Sequence, residues 1–96
     1  MSTLHLVRQS AFATNDFAQC LNVVNQNDAI VLMDDGCYNV NHTLINNLLK
    51  QVGDNINLVA SHAKARAIEA NKMIKLIEMA DVVTLTFIHS KVITWQ

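Results

Sequence analysis

The sequence is poor in residues that interrupt regular secondary structure, and its net charge is small. It has no proline and only two glycines, Gly36 and Gly53, which lie too far apart to form a glycine-rich phosphate loop. The net charge of −1 argues against a module that binds nucleic acid through a basic surface. The longest apolar run, 29–33, is far shorter than the ~20 residues that span a bilayer, and the first residues lack the layout of a signal peptide. We therefore expect a cytoplasmic protein without a membrane segment.

The 96 residues are rich in apolar side chains, with 51% hydrophobic and 16% charged residues. A chain of this length and composition is expected to fold around one core, so we predict a single domain over 1–96. Some of the apolar side chains on so small a body are expected to pack against another subunit. Self-association of the isolated chain is the corresponding expectation.

Short apolar runs alternate with helical patterns along the chain. The predicted strands are 4–7, 29–33, 56–60, 73–77 and 92–95. Thr14, Asn41 and Ser61 are the predicted N-caps of three intervening helices. Gly53 is expected to end the second helix, and the third is expected over 62–71. Because helices of this length suit crossover connections, the pattern predicts a small three-layer α/β sandwich with a mostly parallel sheet.

Segment 81–89 has two readings. Its valines and threonines have strand propensity, whereas Asp81 as an N-cap, with Val82, Leu85 and Ile88 on one side, fits a helix. Propensity alone leaves both readings open.

Histidines and carboxylates give little sign of a catalytic or metal site. The four histidines, which are scattered without an i, i+4 pair, are His5, His42, His62 and His89. We predict neither a metal nor a cofactor from them. Asp34 and Asp35 are neighbours, but adjacent side chains point in different directions and need not share a proton. With Gly36, they are interpreted as a solvated turn after the second strand.

The two cysteines, Cys20 and Cys37, are too few for a disulfide framework and lack the paired spacing of a zinc site, so both are expected to be thiols. Cys20 lies near the apolar face of the first predicted helix, where a free cysteine is usually buried. Cys37 follows the Asp34–Gly36 turn and is expected to be the more exposed and the faster to react. No basic residue adjoins either thiol in sequence to lower its pKa.

Taken in order, a set of residues along nearly the whole chain resembles the TusB/DsrH family. These residues are Leu4, His5, Leu6, Val7, Ser10, Phe12, Asp35, Gly36, Tyr38, Ala65, Arg66, Ala67, Asp81, Val83, Leu85, Thr86, His89, Ser90 and Trp95. The resemblance implies a DsrE-like α/β fold and favours helix for 81–89. It also implies a sulfur-relay complex, a heterohexamer with TusC-like and TusD-like partners, which in the TusB branch serves 2-thiouridine synthesis at the tRNA wobble base.

The resemblance bears on the thiols as well. It implies that the persulfide is carried mainly by a cysteine of the TusD or DsrE partner, while the DsrH branch has a first-helix cysteine that Cys20 matches. Cys20 is therefore a candidate sulfur acceptor. Since no base is available to activate it, the sequence favours a non-catalytic assembly role in which tRNA is met only indirectly. The alternatives are a DsrEFH-type carrier in sulfur oxidation with Cys20 as acceptor, or an independent thiol protein, which a basic residue beside Cys20 or Cys37 in the fold would support.

Overall fold

A computed structural model describes residues 2–70 and 72–96 of the chain. The strands are β1 (Thr3–Val7), β2 (Ala29–Leu32), β3 (Ile56–Val59), β4 (Lys75–Ile77) and β5 (Lys91–Trp95). The helices are α1 (Asp16–Val23), α2 (Leu44–Val52), α3 (Ala60–Ala65) and α4 (Met79–Ile88), and a 3₁₀ helix covers Asp34–Asn41. The predicted strands are all present, within two residues at each end.

The five strands form one parallel sheet in the order β4-β3-β2-β1-β5. The interior strands β2 and β3 are buried along their whole length, as expected for parallel strands that are covered on both faces. The carboxyl ends of all five strands consequently meet at one edge of the sheet. This arrangement confirms the predicted α/β sandwich.

Helices cover both faces of the sheet, which gives the protein two cores. On one face, Phe17 of α1 and Leu48 of α2 pack with Ile30 and Leu58 of the sheet. On the other face, Val82 and Leu85 of α4 pack against four buried strand residues. These residues are Leu4, Ala29, Val31 and Val59. No helix in the described part of the chain is long and apolar enough to cross a membrane.

The first two predicted N-caps are wrong. Asn15, not Thr14, precedes α1. Thr43, not Asn41, precedes α2, because the chain continues from β2 into the 3₁₀ helix, and Asn41 is the last residue of that helix. The side chain of His42 takes over the capping contact, since its Nδ1 accepts the Leu44 N–H at 3.1 Å. The predicted turn at 34–36 is thus the start of a 3₁₀ helix.

The third predicted helix is also shorter than expected. It begins at Ala60, directly after β3, so Ser61 lies inside it, and it ends at Ala65. The N–H of Ile68 bonds to the Ala63 carbonyl at 2.9 Å, and Ala67 has a left-handed backbone with φ 55°. This pattern is a Schellman ending, which stops a helix at a left-handed residue. The predicted last residue, Asn71, lies outside the described residues.

Segment 81–88 is helical, as the family resemblance implied, and His89 is the C-cap of the helix. The helix begins three residues earlier than expected, because Glu78, not Asp81, is its N-cap. The Asp81 carboxylate accepts the Glu78 N–H at 2.9 Å and completes a capping box. Val82 and Leu85 therefore face the sheet on one side of the helix.

Candidate functional site

Polar side chains from several elements meet at the carboxyl edge of the sheet. Arg8, which follows β1, donates from Nε to Asp34 Oδ2 at 2.7 Å. The Asp34 N–H donates to His62 Nδ1, from α3, at 3.0 Å. Asp34 itself has φ 50°, a left-handed conformation that aspartate tolerates better than most residues. This conformation turns the chain out of β2 and places Asp34 between its two partners.

The adjacent carboxylates Asp34 and Asp35 have separate partners. Arg66 donates from Nε to Asp35 Oδ1 at 3.0 Å and from a terminal nitrogen to the His62 carbonyl at 3.2 Å. Its hydrogen bond with Asp35 raises the pKa of the Arg66 guanidinium. The two carboxylates thus neutralise the two arginines, and the predicted separation of Asp34 from Asp35 is confirmed. Because these pairs are partly exposed, we expect each to stabilise the fold only slightly.

Cys37 lies beneath this edge cluster and is fully buried, so the expectation that it is exposed is wrong. The 3₁₀ helix turns its side chain inward, with Sγ 3.8 Å from the Leu32 carbonyl oxygen. The pKa of the Cys37 thiol is raised to about 11, mainly by burial; Arg66 acts to lower it, and Asp34 acts to raise it. Arg66 is the kind of basic neighbour that would activate a thiol, but burial outweighs its effect.

Cys20 is also fully buried, on the inner side of α1, as expected for a free cysteine on an apolar helix face. Burial, together with the negative charge of Asp28, raises the pKa of its thiol to about 12. Its position inside the helix gains little from the helix dipole, which acts mainly on the first turn. Both thiols therefore remain protonated and covered in the folded chain.

This arrangement predicts slow alkylation of both cysteines in the native chain at neutral pH, with Cys37 ahead of Cys20. The thiolate is the reacting species, and both thiols need a local opening before a reagent can reach them. Brief labelling followed by mass mapping tests this, and the same chain in denaturant provides the control in which both label rapidly. Rapid native labelling at Cys20 would contradict the buried state.

A buried polar network at His5 was not foreseen from the sequence. His5 is 1% exposed, its Nδ1 accepts the Trp95 Nε1–H at 3.1 Å, and its Nε2 lies 2.9 Å from Asp28 Oδ2. Since the indole N–H can only donate, Nε2 carries the proton and donates it to the carboxylate. Both ring nitrogens are therefore occupied, so His5 has none left to act as a base for a thiol.

Asp28 holds its charge in this network through several donors. Burial acts to raise the pKa of the Asp28 carboxyl, but hydrogen bonds from the Asn25 N–H, His5 and the Thr3 N–H outweigh it and keep the pKa below its ordinary value. The network joins β1 to the start of β2 and to the end of β5. These hydrogen bonds hold the strands together, which indicates a structural role for the network.

The remaining histidines serve local contacts. His42 caps α2 and meets the ring of Phe12 edge to face, with centroids 4.7 Å apart. His89 Nδ1 lies 2.7 Å from Ser2 Oγ. Within residues 2–70 and 72–96, no three His, Cys, Asp or Glu side chains converge as a metal-binding group.

The chain matches a known protein family. The family model described as DsrH like protein matches residues 9–92, which is most of the chain. No curated protein matches the chain. The matched segment runs from the loop after β1 to the start of β5 and includes both cysteines and, apart from Arg8, the residues of the edge cluster. The chain therefore belongs to the DsrH family of sulfur-relay subunits.

Proposed function

We propose that this chain is the TusB-like subunit of a cytoplasmic TusBCD-like complex that passes persulfide sulfur toward 2-thiouridine at the tRNA wobble position. Its role there is mainly assembly, and it is not itself an enzyme. The observation that carries this proposal is the state of Cys20 and Cys37. Both are fully buried, with pKa values raised to about 12 and about 11.

A cysteine that accepts sulfur in a relay must be ionised and accessible to the donor, and neither Cys20 nor Cys37 is. The thiolate of an acceptor attacks the outer sulfur of a donor persulfide, forms a new S–S bond and releases the donor as its own thiolate. A thiol with a pKa of about 11 is ionised in only about one molecule in 10⁴ at neutral pH. In addition, the donor cysteine of a partner subunit cannot reach a fully covered sulfur. These two barriers favour an assembly role over a carrier role.

Exposed apolar side chains support contacts with partners. Phe12, in the loop after β1, is 67% exposed, and Leu76, on the edge strand β4, is 60% exposed. They lie on different elements. Large apolar side chains at interfaces exclude water and contribute much of the binding energy. TusC-like and TusD-like subunits are the partners that the proposal assigns to these surfaces.

In this proposal, the partner subunits, and not this chain, bind the tRNA. The net charge of −1 gives this chain little electrostatic attraction for phosphates, on which affinity for nucleic acid largely depends. The arginines of the edge cluster, Arg8 and Arg66, are already paired with carboxylates. We therefore expect the chain to meet tRNA only through the complex.

Persulfide mapping tests the proposed role. The complex, purified with its partners, is loaded with sulfur by a cysteine desulfurase and free cysteine, alkylated in denaturant and analysed by peptide mass spectrometry. We expect persulfide on a cysteine of a partner subunit and none on Cys20 or Cys37, with loading unchanged in a complex that carries Cys20→Ser. Persulfide on Cys20 of the intact complex would overturn the assembly role in favour of a DsrEFH-type carrier.

A further inference from the structure

The carboxyl end of β5 is held by a hydrogen bond that only a neutral histidine can accept. His5 Nδ1 accepts the Trp95 Nε1–H at 3.1 Å, and the two ring planes are inclined by only 23°. Because Nε2 already donates its proton to Asp28, Nδ1 is the atom of the ring that can take a second proton. That proton would face the indole N–H, and two donors cannot share a hydrogen bond. Protonation of His5 therefore breaks its bond with Trp95.

The charge in direct contact with the His5 ring favours this protonation. The Asp28 carboxylate lies 2.9 Å from Nε2 and accepts its proton whether the ring is neutral or charged, so it stabilises an imidazolium. On the same face of the sheet, α1 contributes the neutral Cys20 thiol and, in its first turn, Asp16. β5 contributes Lys91 on that face, with a side chain that is exposed to water. The ring thus has an anionic partner on one side and an N–H donor on the other.

The position of β5 allows its carboxyl end to separate from the sheet. β5 is the last strand in the sheet order and pairs with β1 alone among the described strands. The Trp95 carbonyl accepts the Arg8 N–H at 3.1 Å, and Gln96 Oε1 accepts from the Arg8 guanidinium at 2.7 Å. Arg8 also donates to Asp34 of the edge cluster. Movement of Trp95 would therefore change the edge cluster through Arg8.

We propose that His5 is a proton-sensitive switch for the carboxyl end of β5: when Nδ1 takes a proton from water, Trp95 moves away and Arg8 loses its contacts with this strand. The released state carries one more proton on the ring than the bonded state, so falling pH favours release. His5 is 1% exposed, but the Trp95 ring beside it is only partly buried, and its movement admits water to Nδ1. The bond between His5 and Asp28 persists, so β1 and β2 stay paired. This inference concerns the chain alone and does not rest on its role in sulfur relay.

Nitrogen and proton NMR of the intact chain follow both partners of this bond in one titration. Trp95 is the only tryptophan of the sequence, so its indole N–H gives a single signal. The chemical shift of His5 Nδ1 distinguishes an accepting nitrogen from a protonated one. As the pH falls from about 8 to about 5, the range in which histidine changes its charge, we expect Nδ1 to become protonated in step with loss of the indole hydrogen bond.

Amide hydrogen exchange shows how far the change extends. The protection factor of the Arg8 amide should fall about fivefold over the same pH range, as the loss of one hydrogen bond would give, while the amides of β2 keep their protection. Three results would overturn the proposal. These are an Nδ1 that stays unprotonated at about pH 5, an indole signal that does not change when Nδ1 is protonated, and a loss of protection across the whole sheet.

Substitution of the histidine identifies the titrating group. His5→Gln keeps one donor for Asp28 and one acceptor for Trp95 but cannot take a proton, so its indole signal should be independent of pH. His89→Gln is the matched control, because His89 lies near the other end of β5, where its Nδ1 is 2.7 Å from Ser2 Oγ. This variant should keep the transition of the wild type. Far-UV circular dichroism verifies that both variants fold. A transition that persists in His5→Gln, or one that is lost in His89→Gln, would contradict the switch, and if His5→Gln does not fold, the wild-type titration decides.

Discussion

Deletion of this subunit is expected to abolish 2-thiouridine at the tRNA wobble position. The partners would lose the neighbour that covers their apolar surfaces, and without it the complex that presents the reactive thiol would not assemble. Nucleoside analysis of bulk tRNA by liquid chromatography and mass spectrometry measures the modification directly. A plasmid copy of the wild-type chain should restore it.

Two results of this deletion would contradict the proposed function in different ways. If the modification persists while the partners still form a complex, the subunit is dispensable for assembly. If it persists because the host makes 2-thiouridine by another route, the assignment to tRNA thiolation is wrong for this chain. Sulfur oxidation with DsrE-like partners would then be the next function to test.

The second large effect is expected at Gly36. A Cβ atom at this position would lie 2.0 Å from the carbonyl oxygen of Val7, a backbone atom of the interior strand β1. Neither atom can move away cheaply, since the Val7 oxygen accepts the Met33 N–H at 3.0 Å and the Gly36 N–H bonds to the Met33 carbonyl at 2.8 Å. We expect Gly36→Ala to lower the free energy of unfolding by about 4 kcal/mol or more, a large part of the stability of a small domain.

Urea unfolding monitored by the fluorescence of Trp95 measures this effect. Gly53→Ala is the matched control, because a Cβ there meets no atom within 4 Å and the only obstacle is a backbone with φ +63°. That strain should cost about 1–3 kcal/mol. A Gly36→Ala chain with the midpoint of the wild type, or one less destabilised than Gly53→Ala, would show that the 3₁₀ helix can shift away from β1.

The strands could be predicted from the sequence because burial on both faces leaves continuous apolar runs, as in 29–33 and 56–60. The helix starts could not be predicted reliably. Any of several polar residues can serve as an N-cap, and the choice depends on contacts between elements. At α2, the continuation of the 3₁₀ helix to Asn41 moved the start, and the ring of His42 supplied the hydrogen-bond acceptor.

The thiols illustrate the same limit. Cys20 could be predicted as buried because its helix has one apolar face. Cys37 follows two aspartates and a glycine, which suggested an open turn, but the close approach of Gly36 to β1 presses this segment against the sheet and covers the sulfur. The pairing of His5 with Asp28 and Trp95 joins residues that are distant in sequence, so no local pattern indicates it.

Segment 81–89 shows what the family resemblance added. Valine and threonine have high strand propensity, but Val82 and Leu85 are three residues apart and face the sheet together only in a helix. Burial of these two side chains and the capping box at Glu78 outweigh the local preference.

Complementation of the deletion strain tests most directly whether this subunit assembles the complex without carrying sulfur. Copies with Cys20→Ser and Cys20→Ala are expressed in place of the wild type, and affinity purification of the complex verifies that each variant assembles. Serine removes the sulfur at the cost of a buried hydroxyl, whereas alanine removes it without adding a polar group. We expect both variants to restore most of the wobble 2-thiouridine. If both variants assemble and neither restores 2-thiouridine, Cys20 is a relay residue and the claim is wrong.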